Sequence, residues 1–493
     1  MVAWVALCLW PLLAVVFFAT TRPPVAITLT LVGGYLFLPE GVSRDLPVLP
    51  PFDKTTIPAL SALVLTLVFR DRLAGPGFQP GWLPRNGWVL SFLALLGFGA
   101  FGTALTNMDT IYVGYWIPGL RIYDSFSILL NTATMLIPFV LARKILADTR
   151  AQVLFLAALL GLALVYSLLA LFEVRMSPQL ARWVYGRYDW GVWIQNIRGG
   201  GFRPFVFLHH GLWLAIFFAS VALAALGMAR SETHPKRFLL AGIWIFGTLA
   251  LSNSFGALAI AILLAPVALI FKARTRVLAA GAIAIVILLY PVVRSSKMIS
   301  YEGITSVVAG ISAERAQSLQ VRLDNEDLLL DRAQERPLFG WGAWGRERVY
   351  GERGENISLT DGYWLIVLGK GGWIRYLGEF GLLAVGILGL TFGRGRGLHP
   401  ASTAIALALT ANLIDLVPNA GMSSLTWMLA GALAGLLERQ GSEASTNEEA
   451  EASMGPVPPG HRAPTQVFSR KQQARYQRDK ARSSPTTSRK RAP

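Results

Sequence analysis

The sequence predicts an all-α fold: a polytopic transmembrane helix bundle of about 12–13 spans with one large extracytoplasmic loop. Composition is the first observation, because 53% of the 493 residues are hydrophobic and only 15% are charged, a balance typical of integral membrane proteins. The second is a succession of apolar segments that one long polar interval interrupts. The single cysteine, Cys8, excludes an intramolecular disulfide and a metal site with two cysteine ligands.

Each apolar segment has, or nearly has, the ~20 residues that a helix needs to cross the hydrocarbon core. The first segment lacks the basic start and the clear cleavage site of a signal peptide, so it is counted as a span. The segments lie at about 2–19, 24–39, 57–69, 88–106, 124–142, 151–172, 204–228, 237–251, 255–271, 277–293, 372–392, 400–417 and 421–437.

Basic residues in the short loops predict the orientation of the bundle. Alternate loops, from the one with Arg22 to the one with Arg394 and Arg396, hold fifteen Lys and Arg residues, whereas the short loops between them hold three. The positive-inside rule places the basic loops and the C-terminus in the cytoplasm. The long loops then face the periplasm or the cell exterior.

Four regions follow from this pattern. Residues 1–293 form the N-terminal transmembrane helices with a smaller outer loop at 173–203, and residues 294–371 form the large extracytoplasmic loop. Residues 372–437 form the C-terminal transmembrane helices. The tail, 438–493, opens acidic, becomes proline-rich and ends basic, which predicts a disordered cytoplasmic extension or, alternatively, attraction to anionic lipid.

A glycine-rich stretch at 196–211, N-I-R-G-G-G-F-R-P-F-V-F-L-H-H-G, is the first candidate site. Arg198 and Arg203 flank three glycines at the outer membrane boundary, where arginine suits phosphate or diphosphate recognition. The alternative is that both arginines extend towards lipid headgroups. His209 and His210, expected about two turns inside the following span, either line the site or are packed, hydrogen-bonded histidines. Neither a H-x-x-x-H spacing nor a carboxylate cluster supports metal binding there.

The large loop supplies the second candidate site. An amphipathic helix predicted at about 312–335 carries Arg322 among charges that mostly form a solvated face. The following P-L-F-G-W-G-A-W-G, 337–345, ends the helix and predicts a flexible turn. Its tryptophans either stack on sugars or rest on the membrane interface.

Asp361 stands where the large loop returns to the membrane. A carboxylate at that place is either a general base for a sugar hydroxyl or the N-cap of the next helix. Lys370, Arg375 and Glu379 follow inside the apolar segment. Two further intramembrane polar groups have no assigned partner, Asn412 and Asp415.

Together these motifs resemble the O-antigen ligase/polymerase superfamily, polytopic enzymes that act on polyprenyl-diphosphate-linked glycans outside the inner membrane. The superfamily's R-x-x-G-x-F pattern is similar to Arg198–Phe202, and its loop arginine followed by P-L-x-G-x-G is similar to Arg322 and 337–342. Its S-R-G stretch is matched loosely, with Phe255 in place of the arginine. Ligase members begin the return from the loop with a histidine, so Asp361 at this place fits polymerase-like members better.

The resemblance implies glycosyl transfer that needs neither a metal nor a cofactor. Asp361 would be the base, Arg322 would also stabilise charge on the leaving group, and His210 would be a donor or an alternative base. His209 would line the site. The residues implied to bind the donor diphosphate are Arg198, Arg203, Arg322, Lys370 and Arg375.

The predicted function is polymerisation or transfer of polyprenyl-diphosphate-linked oligosaccharide repeat units in exopolysaccharide or O-antigen synthesis. Expected partners are the lipid-linked donor, a glycan acceptor and membrane lipids, with a flippase and a chain-length regulator as candidates; nucleic acid is not expected. One alternative is a flippase or transporter of the same oligosaccharide, which should contain internal repeats with broken helices. Others are a peptidoglycan polymerase of the shape-and-division type and a non-enzymatic scaffold, which would not need arginines at the outer mouth of the spans.

Overall fold

The computed structural model of the protein describes residues 1–45, 47–73, 81–186, 196–198, 201–230, 234–296, 306, 309–310, 313–393 and 398–453. Within these ranges, residues 73, 198, 313–315, 318–319 and 444–453 are described by their backbone alone. Met1–Gly441 form one compact unit. Ser442–Pro493 form a second, of which the helical part up to Ser453 is described.

Helices dominate the described residues. Those of the first half are α1 Val2–Thr20, α2 Pro23–Phe37, α3 Thr56–Val68, α4 Arg70–Leu73, α5 Gly87–Leu105, α6 Ile122–Ile145, α7 Thr149–Met176 and α8 Leu180–Tyr185. Those of the second half are α9 Gly211–Met228, α10 Pro235–Leu251, α11 Phe255–Ile270, α12 Ala273–Ser295, α13 Ala313–Gln334, α14 Tyr363–Phe392, α15 Pro400–Asp415 and α16 Ser424–Ser453. Two antiparallel ribbons pair β1 Ile111–Tyr112 with β2 Trp116–Ile117 and β3 Ile197–Arg198 with β4 Gly201–Phe202.

The prediction of an all-α polytopic bundle is confirmed. Seven of the described helices are long and apolar enough to cross a membrane, and three shorter helices are also apolar. Each apolar segment predicted as a span has a helix at its place. The amphipathic helix predicted at about 312–335 is α13.

The helix α9 forms the centre of the bundle. It is apolar all round, as expected of a helix with no face towards solvent, and nearly every residue from Gly211 to Met228 is buried. It packs against α10, α11 and α15. Asn412 of α15, which had no partner in the sequence analysis, donates to Ser220 Oγ of α9 at 2.7 Å and accepts from Thr426 Oγ1 of α16 at 3.0 Å. Such hydrogen bonds fix the register of helices whose surfaces are otherwise uniformly apolar.

The connections between helices gather in two groups. One group, here called the loop end, comprises the described residues of 38–55, 106–121, 177–210, 252–254, 296–362 and 416–423. Contacts between these connections join them: Lys54 Nζ donates to Phe207 O at 2.9 Å, and Asn253 Nδ2 donates to Phe202 O at 3.3 Å.

Short connections rich in arginine form the other group, here called the basic end. There Arg72 Nη1 donates to Phe18 O at 2.9 Å, and Arg276 Nη1 donates to Gly227 O at 3.1 Å. The grouping is that of the predicted cytoplasmic loops. Which end faces the cytoplasm stays a prediction.

Two helices begin elsewhere than predicted. The span predicted at 204–228 starts only at Gly211, because residues 203–210 form an irregular segment. The span predicted at 372–392 starts at Tyr363 and contains a break at Gly372, whose φ is 63°. At the C-terminal side α16 continues past position 438, where the predicted tail begins.

Candidate active site at the loop end

Asp361 and Arg322 lie side by side at the loop end. Asp361 lies two residues before the start of α14, and its Oδ2 is 3.8 Å from Arg322 Nε of α13. Both side chains are about half exposed, at 53% and 41%. The N-cap of α14 is Gly362, without a side-chain cap, so the interpretation of Asp361 as N-cap is wrong. Its carboxylate is therefore not committed to the helix end.

An arginine of the bundle fixes the helix that carries Arg322. Arg294, at the end of α12, donates from Nε to Glu326 Oε2 at 3.2 Å and lies 2.7 Å from Asp327 Oδ1 through Nη1. Its Nη2 donates to Leu323 O at 3.0 Å. Burial raises the pKa of Glu326 despite the opposing hydrogen bonds and charge of Arg294. These contacts hold the turn of α13 next to Arg322 against the bundle.

A buried carboxylate, Asp415, lies within electrostatic range of Arg322. It ends α15, is 3% exposed, and accepts a hydrogen bond from Asn419 Nδ2 at 2.8 Å. Arg322 acts on it electrostatically. A Cβ built on Gly421 would lie 3.1 Å from Trp213 Cδ1 and 3.7 Å from Asp415 Oδ2, so both side chains border the same glycine.

His209 reaches the same neighbourhood through Trp213. The two rings have centroids 5.4 Å apart, and His209 is exposed. Both histidines precede α9, so their prediction about two turns inside a span is wrong. His210 is the N-cap of α9, and its Nδ1 accepts from Leu212 N at 3.1 Å. That hydrogen bond gives His210 a role in the helix start.

Three polar side chains fix the irregular segment 203–210. The Glu173 carboxylate accepts from Phe205 N at 3.0 Å and Val206 N at 2.7 Å. Tyr166 Oη accepts from Phe207 N at 3.1 Å. Val206 has a φ of 56°, unfavourable for a β-branched residue, and the buried acceptor beside it offsets that cost.

Lys54 is the third of these side chains. It donates to Phe207 O and pairs with Glu40 Oε2 at 3.0 Å. Burial lowers the pKa of Lys54, although the charge of Glu40 and its hydrogen bond oppose the shift. Sequence reasoning did not single out Glu173, Tyr166 or Lys54. A carboxylate in the last turns of an apolar span, as in F-E-V-R at 172–175, is the signal that identifies the first.

The arginines of the glycine-rich stretch have different positions. Arg203 is 6% exposed, and its Nη2 donates to Asn253 O at 3.2 Å, while Asn253 Nδ2 donates back to Phe202 O at 3.3 Å. Arg203 is thus joined to the connection between α10 and α11. Arg198 is in β3, but its side chain lies outside the described part of the structure.

Lys370 and Arg375 lie on α14, where their ion-pair partners are residues other than Arg322 and Asp361. Lys370 Nζ is 3.8 Å from Glu347 Oε1, and it borders two small cavities of about 30 and 60 Å³. Arg375 Nε donates to Glu379 Oε1 at 2.6 Å. Tyr363 Oη donates to the other oxygen of Glu379 at 2.7 Å. The charge of Arg375 is therefore matched inside the bundle.

The segment after α13 is held along the break in α14, so the prediction of a flexible turn there is wrong. Where the helix is interrupted at Gly372, the backbone of 337–342 supplies partners to residues 369–374. The hydrogen bonds run from Trp341 N to Gly369 O at 2.8 Å, Gly342 N to Lys370 O at 2.9 Å, Trp373 N to Pro337 O at 2.8 Å and Ile374 N to Leu338 O at 3.2 Å. A Cβ at Gly340 would lie 2.6 Å from Gly371 N, which explains the glycine of the P-L-x-G-x-G pattern.

Trp341 anchors this segment. Its ring is 5% exposed and lies against two guanidinium groups, with Arg332 Cζ 3.4 Å and Arg336 Cζ 4.2 Å from the ring centroid. Its Nε1 donates to Arg332 O at 2.7 Å. Trp341 is thus a structural residue, whereas Trp344 of the same stretch is 57% exposed.

Asp109 joins the large loop to the connection between α5 and α6. Its Oδ2 accepts from Arg336 Nη2 at 2.7 Å, and its Oδ1 accepts from buried Arg346 at 3.4 Å. Burial acts to raise the pKa of Asp109, but the hydrogen bond and charge of Arg336, together with the charge of Arg346, lower it overall. The large loop is therefore tied to the bundle at two places that follow Arg322, through residues 323–327 and through Arg336 and Arg346.

Taken together, the fold and the site define a multi-pass helical membrane protein whose loops present an accessible arginine and carboxylate at one end. A family model described as O-antigen ligase matches residues 238–389, which include Arg322, Asp361, Lys370 and Arg375. The match confirms the resemblance to the O-antigen ligase/polymerase superfamily over these residues. No curated protein matches the sequence significantly.

Proposed function

We propose that this protein is a membrane glycosyltransferase that polymerises or transfers polyprenyl-diphosphate-linked oligosaccharide repeat units on the outer face of the inner membrane. The observation that carries the proposal is the 3.8 Å separation of Arg322 Nε and Asp361 Oδ2 at the loop end. The resemblance implies that Arg322 binds the diphosphate and that Asp361 is the general base. Their proximity fits a single reaction centre.

In the proposed reaction, the acceptor sugar hydroxyl oxygen attacks the anomeric carbon of the donor. The bond from that carbon to the diphosphate oxygen breaks, and the polyprenyl diphosphate leaves with the bonding electrons. Asp361 takes the hydroxyl proton, and Arg322 stabilises the charge that develops on the leaving diphosphate. The products are one new glycosidic bond and polyprenyl diphosphate.

Substrate binding would exchange the partner of Arg322. An arginine prefers a diphosphate, which offers paired oxygens and more negative charge than one carboxylate. When the donor docks, Arg322 turns from Asp361 to the diphosphate, and Asp361 becomes free to approach the acceptor hydroxyl. The half-exposure of both groups and their long contact distance suit this exchange.

The other candidate site residues have different roles in the proposal. Lys370 borders a small cavity that is also lined by Thr360, the neighbour of Asp361, and His209 stacks near Trp213; we propose that both line the donor path. Arg198 and Arg203 are proposed to bind diphosphate at its approach. The matched charge of Arg375 favours a supporting role for that residue, and His210 would act only by leaving its N-cap contact.

The remaining parts of the proposal concern the setting of the reaction. Exopolysaccharide or O-antigen assembly would supply the lipid-linked donor and the glycan acceptor, with a flippase and a chain-length regulator as partners. The reaction needs no metal or cofactor in this scheme. The protein would reside in the inner membrane with its C-terminus in the cytoplasm and its large loop, 294–371, outside.

Replacing each member of the pair tests the proposal in cells that make the polysaccharide. Arg322→Ala and Asp361→Asn are each expected to lower polymer formation by about 10²-fold or more, as for loss of a leaving-group stabiliser or general base. Matched controls are Arg353→Ala and Asp324→Asn, which remove exposed charges of the same loop. Immunoblots establish protein level, and gels establish chain length.

The fate of single repeat units separates the alternatives. Single lipid-linked repeats that accumulate on the outer leaflet would support a polymerase, whereas repeats retained on the cytoplasmic leaflet would favour a flippase. Long chains at wild-type level in both variants would contradict the assignment. The exchange double variant Arg322→Asp with Asp361→Arg should stay inactive, because a structural pair tolerates reversal and a reaction centre does not.

A further inference from the structure

A cavity of about 1000 Å³ opens at the basic end of the bundle, opposite the Arg322–Asp361 pair. It lies between the start of α12, the end of α14 and the helix α16. The volume is at the upper end of the range found for small-molecule sites. Nothing in the proposed reaction uses this cavity.

The lining of the cavity combines two cations with an apolar wall. Lys272 and Arg274 supply the charge, and the described lining residues include no carboxylate. Arg274 Nη1 donates to Leu390 O at 3.1 Å, which holds its guanidinium at the rim. The wall is formed by Leu390, Phe392, Leu398 and Leu437.

The position of the cavity relative to the spans indicates which kind of molecule can reach it. The helices α12 and α14 are both long and apolar enough to cross a membrane, and the cavity lies where one begins and the other ends. The ends of spans lie at the level of lipid headgroups. Phe392 is 70% exposed there, so its ring is accessible from outside the bundle.

We propose that this cavity binds an anionic phospholipid. Lys272 and Arg274 hold the headgroup phosphate, and the glycerol and the upper part of one acyl chain lie against Leu390, Phe392 and Leu398. A cationic rim next to an apolar wall is complementary to a molecule with both a phosphate and a hydrocarbon chain. A free phosphate would leave the wall empty, and a zwitterionic lipid would add a cation beside two others.

Lipid binding by the full-length protein in neutral detergent tests the inference. Native mass spectrometry counts bound lipid during titration with phosphatidylglycerol and, separately, with phosphatidylethanolamine. We expect preferential retention of phosphatidylglycerol. Lys272→Gln should weaken it about five-fold, the contribution of one basic residue near an anionic membrane surface.

Two further variants make the result specific to the cavity. Lys236→Gln removes an exposed lysine at the start of α10, at the same end of the bundle but outside the cavity, and should bind like the wild type. Ala273→Trp keeps both cations but fills part of the cavity, and should weaken retention of phosphatidylglycerol. The melting temperature without added lipid checks that each variant is folded.

Three outcomes would overturn the inference. Equal weakening by Lys272→Gln and Lys236→Gln would reveal general attraction to surface charge. Equal retention of the two lipids would remove the role of the phosphate charge. Displacement of phosphatidylglycerol by millimolar inorganic phosphate would make the cavity an ion site.

Discussion

Two arginine–carboxylate pairs, one at the start of α14 and one within it, differ in distance and in burial. At the start of the helix, Arg322 and Asp361 are 3.8 Å apart and about half exposed. Beyond the break at Gly372, Arg375 donates to Glu379 at 2.6 Å, and the Glu379 side chain is fully buried. Tyr363 occupies the second oxygen of Glu379.

The comparison distinguishes charges that stabilise the fold from charges that remain available to a substrate. An exposed pair at long distance contributes about 0–1 kcal/mol to stability, because water solvates each charge separately. A buried pair has no such alternative, so loss of one partner leaves an uncompensated charge. We therefore expect the Arg375–Glu379 pair to dominate stability and the Arg322–Asp361 pair to dominate activity.

The largest expected effect on stability is that of Glu379→Gln. The change leaves Arg375 without its carboxylate inside the bundle, which should lower the free energy of unfolding by about 3 kcal/mol. Denaturant titration in mixed micelles measures the change. Glu352→Gln, which alters an exposed carboxylate of the loop, is the control and should stay within about 0.5 kcal/mol of the wild type. Equal stability of the two variants would contradict the structural role of the buried pair.

An intermediate effect is expected of Tyr363→Phe. The variant keeps the ring, which packs in the core, and removes the O–H that donates to Glu379. Loss of a hydrogen bond to a charged acceptor should lower the free energy of unfolding by about 1.5 kcal/mol. Tyr123→Phe, at a 52% exposed position, provides the comparison. A loss as large as that of Glu379→Gln would mean that the hydroxyl, and not the ion pair, holds this region.

The smallest effect on stability is expected of Arg322→Ala and Asp361→Asn. Each should change the free energy of unfolding by less than about 1 kcal/mol, because the pair is exposed and its distance is long. The same titration measures both, on protein from the cells used for the polysaccharide assay. A loss of several kcal/mol in either variant would make the pair structural and would remove the basis for reading lost polymer as lost catalysis.

The pattern of spans was predictable because it depends on composition over long windows. Helix starts were not, and His209 and His210 illustrate why. The apolar run continues from Phe205 to Leu208, so the sequence gives no sign that the backbone leaves the helix there. The irregular conformation depends on acceptors from elsewhere in the chain, Glu173 and Tyr166.

The candidate site was predictable in part. The spacing of Asp361 and Arg322 relative to their motifs identified both, but only the packing of α13 against Arg294 brings them together. The sequence could not show that the charge of Arg375 is matched by a buried carboxylate whereas Lys370 borders cavities, since both are cations in one apolar segment. Asp415 was visible as a carboxylate in a span, yet its electrostatic interaction with Arg322 depends on tertiary structure.

The break in α14 also constrains how the protein is made. A backbone interrupted at the start of a span leaves N–H and C=O groups that lipid cannot satisfy. Their partners come from residues 337–342, which leave the ribosome before α14 does. The span therefore reaches its final form only after the preceding segment has docked on it. Biogenesis of this protein couples completion of a membrane helix to prior folding of a loop, so a defect in the loop would appear as a defect in membrane insertion.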